Sequence, residues 1–360
     1  MKTVKLGDIV SLKYGKALKQ GDRRGGPVAV VGSSGVVGFH DQALSSGPAI
    51  VVGRKGSIGS VTWVPGDVWP IDTAYEAVPL GEGVDLRWLY WILSALGLKG
   101  MNKSAAVPGL NRDDVYRLSI RLPDLKEQRR ISAILDQAGE QRSRRRAQLE
   151  RLAALVQVAF ADRVREAGPG QPLSELASFV RGVTFKPEDV AESGVPVMRT
   201  KNVQKRLDSS DLIRIPAELI KNEAKYLQEG DTLVSSANSY NLVGKCCFVD
   251  SLPEASAIGG FVSALRPGPD VDPTFLYAWF NSDRVQATVR SFGNKTTNIS
   301  NLNIKRTLQL RIPDVSLDMQ REFAAVVEKI DVQRARVERA LALEDELFAS
   351  LQHRAFRGEL

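Results

Sequence analysis

Cysteine and histidine are almost missing. The two cysteines of this 360-residue chain are neighbours, Cys246 and Cys247, and the two histidines, His40 and His353, stand far apart. No zinc-type spacing and no disulfide framework can be written from them, and neither histidine has the context of a general acid or base. No apolar run reaches the ~18 residues that span a bilayer. Met1 to Val10 also lacks the apolar stretch of a signal peptide, so the expected location is the cytoplasm.

Nucleotide signatures are absent as well. Gly53-Arg54-Lys55-Gly56-Ser57-Ile58-Gly59 has no closing Lys-Ser/Thr pair, and no Gly-x-Gly-x-x-Gly occurs. Asp272-Pro273-Thr274-Phe275 is one proline short of an amino-methyltransferase pocket. Asp211, Glu223 and Lys225 imitate a metal-nuclease triad only at loose spacing. The chain reads as a binder, non-catalytic by itself, with no catalytic residue, metal or cofactor of its own.

What is present is ordinary globular composition, 43% hydrophobic and 25% charged, at a length that suits two or three domains. Lys and Arg outnumber Asp and Glu by 49 to 42, a charge of +7 that fits a polyanionic partner without demanding one.

The chain repeats itself. Leu6-Gly7-Asp8-Ile9-Val10 leading to Tyr14-Gly15-Lys16 returns as Leu173-Ser174-Glu175-Leu176-Ala177 leading to Arg181-Gly182-Val183, with the glycine at the same offset. Leu89-Tyr90-Trp91 returns as Leu276-Tyr277-Ala278-Trp279. Leu118-Ser119-Ile120-Arg121-Leu122-Pro123-Asp124 returns as Leu308-Gln309-Leu310-Arg311-Ile312-Pro313-Asp314, in each case a strand pattern stopped by proline. Within the globules, strands are expected at Val28–Val31, Ala49–Val52 and Thr232–Val234, and helices at Arg87–Leu96 and Pro273–Val289.

After each proline a long helical pattern begins, with Gln128-Arg129-Arg130 in one copy and Gln320-Arg321-Glu322 in the other. In the first helix Ile131, Leu135, Ala138, Leu149, Leu152, Val156 and Ala159 recur at alternating steps of four and three, with Arg142 and Arg145 in the gaps. In the second, Phe323, Val327, Ile330, Val337, Leu341, Phe348, Leu351 and Ala355 do the same around Arg334 and Glu344. This period is that of a coiled-coil seam. About 40 residues at 1.5 Å each make rods of ~60 Å, and the nearest partner for each rod is the other.

The expected fold class is therefore α+β. Two mixed α/β globules stand in pseudo-two-fold tandem, separated by two long helices that form an intramolecular antiparallel coiled coil with a globule at either end. The expected parts are 1–122, a first recognition globule; 123–167, a first helix; 168–312, a second globule; and 313–360, a second helix. Two readers held at a fixed separation suit two half-sites on a duplex.

Matching polar loops supply the candidate DNA contacts. In the first globule these are Arg54, Lys55, Ser57, Lys103, Asn111 and Arg112. In the second they are Arg199, Lys201, Asn238, Tyr240, Lys245, Asn294, Lys295 and Thr296. Arginine and lysine suit guanine edges and phosphates, asparagine suits adenine, and serine and threonine suit phosphates. The same residue types also favour turns. The basic run Gln141-Arg142-Ser143-Arg144-Arg145-Arg146 fits a solvated helix face better than a DNA contact.

With its order of globule, helix, globule and helix, the chain resembles the specificity (S) subunit of type I restriction-modification systems. The resemblance rests on Leu122-Pro123-Asp124-Leu125-Lys126-Glu127-Gln128-Arg129-Arg130-Ile131 and on the ending Ser350-Leu351-Gln352-His353-Arg354-Ala355-Phe356-Arg357-Gly358-Glu359-Leu360. It implies a sequence-specific DNA-binding subunit that reads a bipartite target across a non-specific spacer. It also implies two modification (methyltransferase) subunits as partners, which would bring S-adenosylmethionine and methylate adenine N6, and restriction/translocase subunits that use ATP and Mg. The second copy departs from the pattern, with a helix entry two residues longer and Met319 in place of Glu127. A coiled-coil scaffold joining two protein-binding globules, with no nucleic acid involved, is the alternative reading.

Overall fold

The computed structural model describes residues 2–101, 109–293 and 299–360. The chain divides into two compact units, Met1–Ala147 with Glu338–Leu360, and Gln148–Val337. Each unit combines one globule with a stretch of both long helices, so the compact units cut across the four-part division read from the sequence.

In the first unit the strands are β1 (Lys2–Lys5), β2 (Val10–Tyr14), β3 (Val28–Gly32), β4 (Gly35–His40), β5 (Ala49–Gly53), β6 (Val61–Val64), β7 (Val68–Pro70), β8 (Ala74–Pro79) and β9 (Ser119–Leu122). The helices are α1 (Leu86–Ala95), α2 (Arg112–Tyr116) and the start of α3 (Leu125–Val164). One sheet runs β2-β8-β5-β6 and a second β4-β3-β7, while β1 pairs with β9 antiparallel.

The second unit contains β10 (Pro169–Pro172), α4 (Leu173–Leu176), β11 (Ala177–Arg181), β12 (Val195–Met198), β13 (Ile213–Ile215), β14 (Thr232–Ser235), β15 (Ala237–Asn238) and β16 (Cys246–Phe248). It continues with β17 (Ala257–Ile258), β18 (Val262–Pro267), α5 (Pro273–Phe280), α6 (Asp283–Ser291), β19 (Ser300–Asn301), α7 (Ile304–Thr307), β20 (Arg311–Pro313) and the first part of α8 (Leu317–Arg357). Its sheets run β11-β18-β14-β16 and β13-β12-β17, and β10 pairs with β20. This is the sheet order of the first unit, down to the parallel pairs β3·β7 and β12·β17, with the short antiparallel pair β15·β19 in addition. The internal repeat is thus a repeated fold.

Local chemistry explains the shared letters. A Cβ on Gly15 would lie 2.2 Å from the Ile71 carbonyl oxygen, and one on Gly182 would lie 1.8 Å from that of Gly259. Only glycine lets the strand leave the larger sheet against that backbone. The helix expected over 273–289 is two helices. Ser282 closes α5 by donating to the Trp279 carbonyl at 2.7 Å, and Asp283 opens α6 in its first turn, so local hydroxyl chemistry outcompetes helix continuation. His40 ends β4; it is buried, accepts at Nδ1 from the Arg24 amide at 3.2 Å and stands edge-on to Trp69.

The longer entry to α8 is absorbed before the helix begins. Leu317 takes the place of Leu125, and Ser316 accepts from the Met319 amide as Asp124 does from that of Glu127. Every position named for the seam is buried or half-buried along both helices. In the first unit Ile131, Leu135, Phe348 and Ala355 share one core with Leu6, Trp88 and Leu89. Arg142 reaches Asp345 and Arg145 reaches Glu344, while Arg130 donates to the Leu360 carbonyl, so the helices run antiparallel there. Arg142 also stacks on Phe348 at 4.2 Å. In the second unit Phe160, Phe275 and Phe323 form a ring cluster with centroids 5.3–6.0 Å apart, and Arg163 pairs with Glu322 at 3.2 Å. Each of these buried rings contributes about 1.5–3 kcal/mol.

Candidate nucleic-acid interface

In each globule the described parts of the polar loops picked out by sequence gather at one end of the four-stranded sheet. In the first, the β5–β6 loop carries Arg54, Lys55 and Ser57, and its backbone is pinned where the Arg54 and Lys55 amides donate to the Thr73 carbonyl at 2.9 and 3.1 Å. The Arg54 carbonyl accepts from the Leu110 amide at 2.8 Å, which draws in Asn111 and Arg112. The second globule does the same with other side chains. The Ser236 and Ala237 amides donate to the Phe261 carbonyl at 3.0 and 3.2 Å, and the Leu302 amide donates to the Ser236 carbonyl at 2.8 Å.

Tyr14, on β2, gathers the first cluster. The Arg54 guanidinium lies 4.9 Å from its ring centre and that of Arg112 5.2 Å, and Tyr75 packs edge-on at 5.1 Å. Arg54 also donates to the Asp72 carbonyl at 3.0 Å. Burial, reinforced by Tyr14, pushes the Tyr75 phenol up to about 12, so it stays protonated and holds the Leu110 carbonyl at 3.1 Å. Two cations on a half-exposed aromatic ring make a surface suited to phosphates and to base faces. Lys55 and Ser57 are exposed beside it. The Asn111 side-chain oxygen, offered as a base contact, caps α2 by accepting from the Asp113 amide at 2.8 Å.

In the second globule the loop after β12 joins the cluster. Lys245 donates to Gln204 at 2.8 Å, and this brings Lys245 beside the stretch that holds Arg199 and Lys201. Both of those cations contact the exposed Asp211. Exposed pairs of this kind are worth about 0–1 kcal/mol and exchange readily for a phosphate. The carboxylate of the nuclease-like spacing is thereby engaged, and no group of three or more metal-ligating side chains occurs among the described residues. Asn238 spends its carboxamide locally, donating to Ser235 Oγ at 3.1 Å and accepting from the Ser239 amide at 2.8 Å. Tyr240 is half-buried. Lys103, Asn294, Lys295 and Thr296 lie outside the described residues.

Sequence reasoning passed over Tyr14 and its counterpart Arg181, which immediately precede the shared glycines. Arg181 lines a groove with Phe292, Asn301, Asn303 and Lys305, and Phe261 stands 66% exposed beside the adjoining loop. The signal was present, since residues flanking a glycine that admits close backbone approach sit at a strand end.

Residues 1–151 match the type I restriction modification DNA specificity domain. The match falls on the first globule and the beginning of the first long helix. The chain's resemblance to type I specificity subunits extends to individual relatives. The StySPI specificity subunit of Salmonella potsdam is 29% identical over 172 residues, 46% of this chain and 36% of that protein. The EcoKI specificity subunit of Escherichia coli strain K12 is 28% identical, also over 172 residues, 46% of this chain and 36% of that protein. The chain thus spans about a third of the length of these relatives. The type I S subunit from M. genitalium shares the fold over 99% of this chain and 96% of its own, at 17% identity and a TM-score of 0.61. A chain solved in work on complex assembly and conformational transition of a type I system covers all of this one with a TM-score of 0.53. The domain match ends at residue 151, and the second globule, beyond it, repeats the sheet order of the first. No helix among the described residues is long and apolar enough to cross a membrane.

Proposed function

We propose that this chain is the DNA-reading, non-catalytic subunit of a type I restriction-modification complex. Each globule reads one half of a bipartite duplex target, and the paired helices set the spacer between the halves and dock the partner subunits. Two methyltransferase subunits would bring S-adenosylmethionine, and restriction/translocase subunits would bring ATP and Mg; none of these groups is assigned to residues of this chain. The cytoplasm follows as the place of action.

The observation that carries this reading is the repeated fold. The same loop-bearing end of a four-stranded sheet occurs twice, each time on a globule built onto two antiparallel helices, and residues 1–151 match a specificity domain. Duplication of a reader is what a two-part target requires. The test is selection from a random-sequence duplex library by the full chain, co-produced with a neighbouring methyltransferase where one is encoded. Two defined half-sites at a set separation are expected, with affinity falling steeply as salt rises. Enrichment of a single continuous site, or methylation or cleavage by the isolated chain, would overturn the reading.

A further inference from the structure

Two buried glutamines occupy equivalent places, at the fourth residue of each long helix. Gln128 is fully buried. Its Oε1 accepts from the Asp85 amide at 2.7 Å, and its Nε2 donates to the carbonyls of Gly83 and Pro123, both at 3.0 Å. Gln320 is 5% exposed; its Oε1 accepts from the Asp272 amide at 2.9 Å and its Nε2 donates to the Val315 carbonyl at 2.8 Å. Asp85 and Asp272 are the N-caps of α1 and α5, the first helices after each globule's sheets. Flanking residues differ between the copies, Glu127 against Met319 and Arg130 against Glu322, while the glutamine and its bonds recur.

We propose that Gln128 and Gln320 are positioning residues that set the angle between each reading globule and its long helix, and through it the spacer length the chain accepts. This rests on the DNA-reading function proposed above. One carboxamide bonds at once to the backbone of a globule helix cap and to the residue that leads into the long helix, its oxygen accepting on one side and its NH2 donating on the other. Each pair is buried, so water cannot replace a lost bond without opening the unit. Adding one base pair to a spacer rotates the far half-site by about 34°, one part in 10.5 of a turn. Each globule also meets its long helix through a shared apolar core, but such contact is non-directional, so the carboxamide tie is what fixes the angle and its loss lets the globule twist toward a rotated half-site.

The test compares Gln128→Met and Gln320→Met with wild type in the same duplex selection, with the spacer distribution as the readout. Gln286→Met is the control: Gln286 is also buried, but it bonds to the Phe280 carbonyl and lies against Cys246 Sγ, both within its own globule. Wild type is expected to return one spacer. Each tie variant is expected to return the same half-sites, with spacers one base pair longer or shorter recovered about tenfold more often. The control is expected to keep the single spacer. Hydrogen exchange should accelerate at the Asp85 or Asp272 amide while strand β5 or β14 stays protected, which separates a lost tie from unfolding. A sharp, unchanged spacer in both tie variants despite faster exchange at those amides would overturn the proposal, as would equal broadening in Gln286→Met. Should wild type select no bipartite duplex at all, the DNA-reading function itself falls and takes this proposal with it.

Discussion

Replacing Arg54 with alanine puts the candidate interface to its sharpest test. The guanidinium lies 4.9 Å from the Tyr14 ring centre and 5.9 Å from that of Tyr75, and it makes one hydrogen bond to the Asp72 carbonyl. Truncation removes about 0.5–1 kcal/mol of cation-π attraction and about 1 kcal/mol of hydrogen bonding, a loss the first unit survives. The charge lost to DNA matters more. A base contact is worth about 1–3 kcal/mol, or roughly 5- to 150-fold in affinity, and a phosphate contact lowers the slope of log affinity against log salt by about 0.9. Fluorescence anisotropy on the selected duplex, titrated at several salt concentrations beside a denaturant melt, measures both. Arg54→Lys should keep the salt slope and lose discrimination at the first half-site, because an ammonium cannot supply the planar fork. An Arg54→Ala chain that binds within twofold of wild type at an unchanged salt slope would refute the placement of the interface on this edge.

Other expectations concern stability. The Asp231 carboxylate is buried and bonded twice to Arg266, so Asp231→Ala should cost the second unit about 3–5 kcal/mol in a denaturant melt, far more than loss of an exposed pair such as Arg24 with Asp41. Tyr75 ionises at about 12 in the folded chain against an ordinary 10.0, so the folded state holds its proton more tightly. Its stabilising effect is complete below pH 10 and lost as pH climbs toward 12, and Tyr75→Phe should flatten that alkaline decline in a melt of the first unit. Burial pushes the Cys247 thiol up to about 12 and that of Cys246 higher still, so both should resist maleimide at pH 8. Labelling of these cysteines should track unfolding of the second unit across a urea series.

The seam is readable because heptad spacing is a local property: Ile131, Leu135, Phe323 and Val327 announce it within two turns of their own helix. Both sheets repeat in an order that no local pattern contains. Strands as short as Ala257–Ile258 and Ser300–Asn301 carry no period, and the parallel pairing of β3 with β7 depends on residues distant in the chain. Gln128 and Gln320 are visible as matched letters, yet their bonds reach back 43 and 48 residues to caps that only the fold brings near. Asn111 and Asn238 show the limit of reasoning from residue type. The side chain that suits an adenine edge also suits a helix cap or a turn, and in both places the backbone had the nearer claim. Tyr14 went unnoticed because a lone tyrosine before a glycine gains meaning only once Arg54 and Arg112 fold onto its ring.

Each globule closes on itself where it meets the rest of the chain. Lys2 lies opposite Leu122 across β1 and β9, and Pro169 opposite Pro313 across β10 and β20. A module whose two doorposts stand side by side behaves as an interchangeable cassette. Under the function proposed above, recombination at those strands would install a different reader without disturbing the neighbouring rods, and new target preferences would come within reach of a single genetic step, without the many compensating changes that a reader woven through the whole chain would demand.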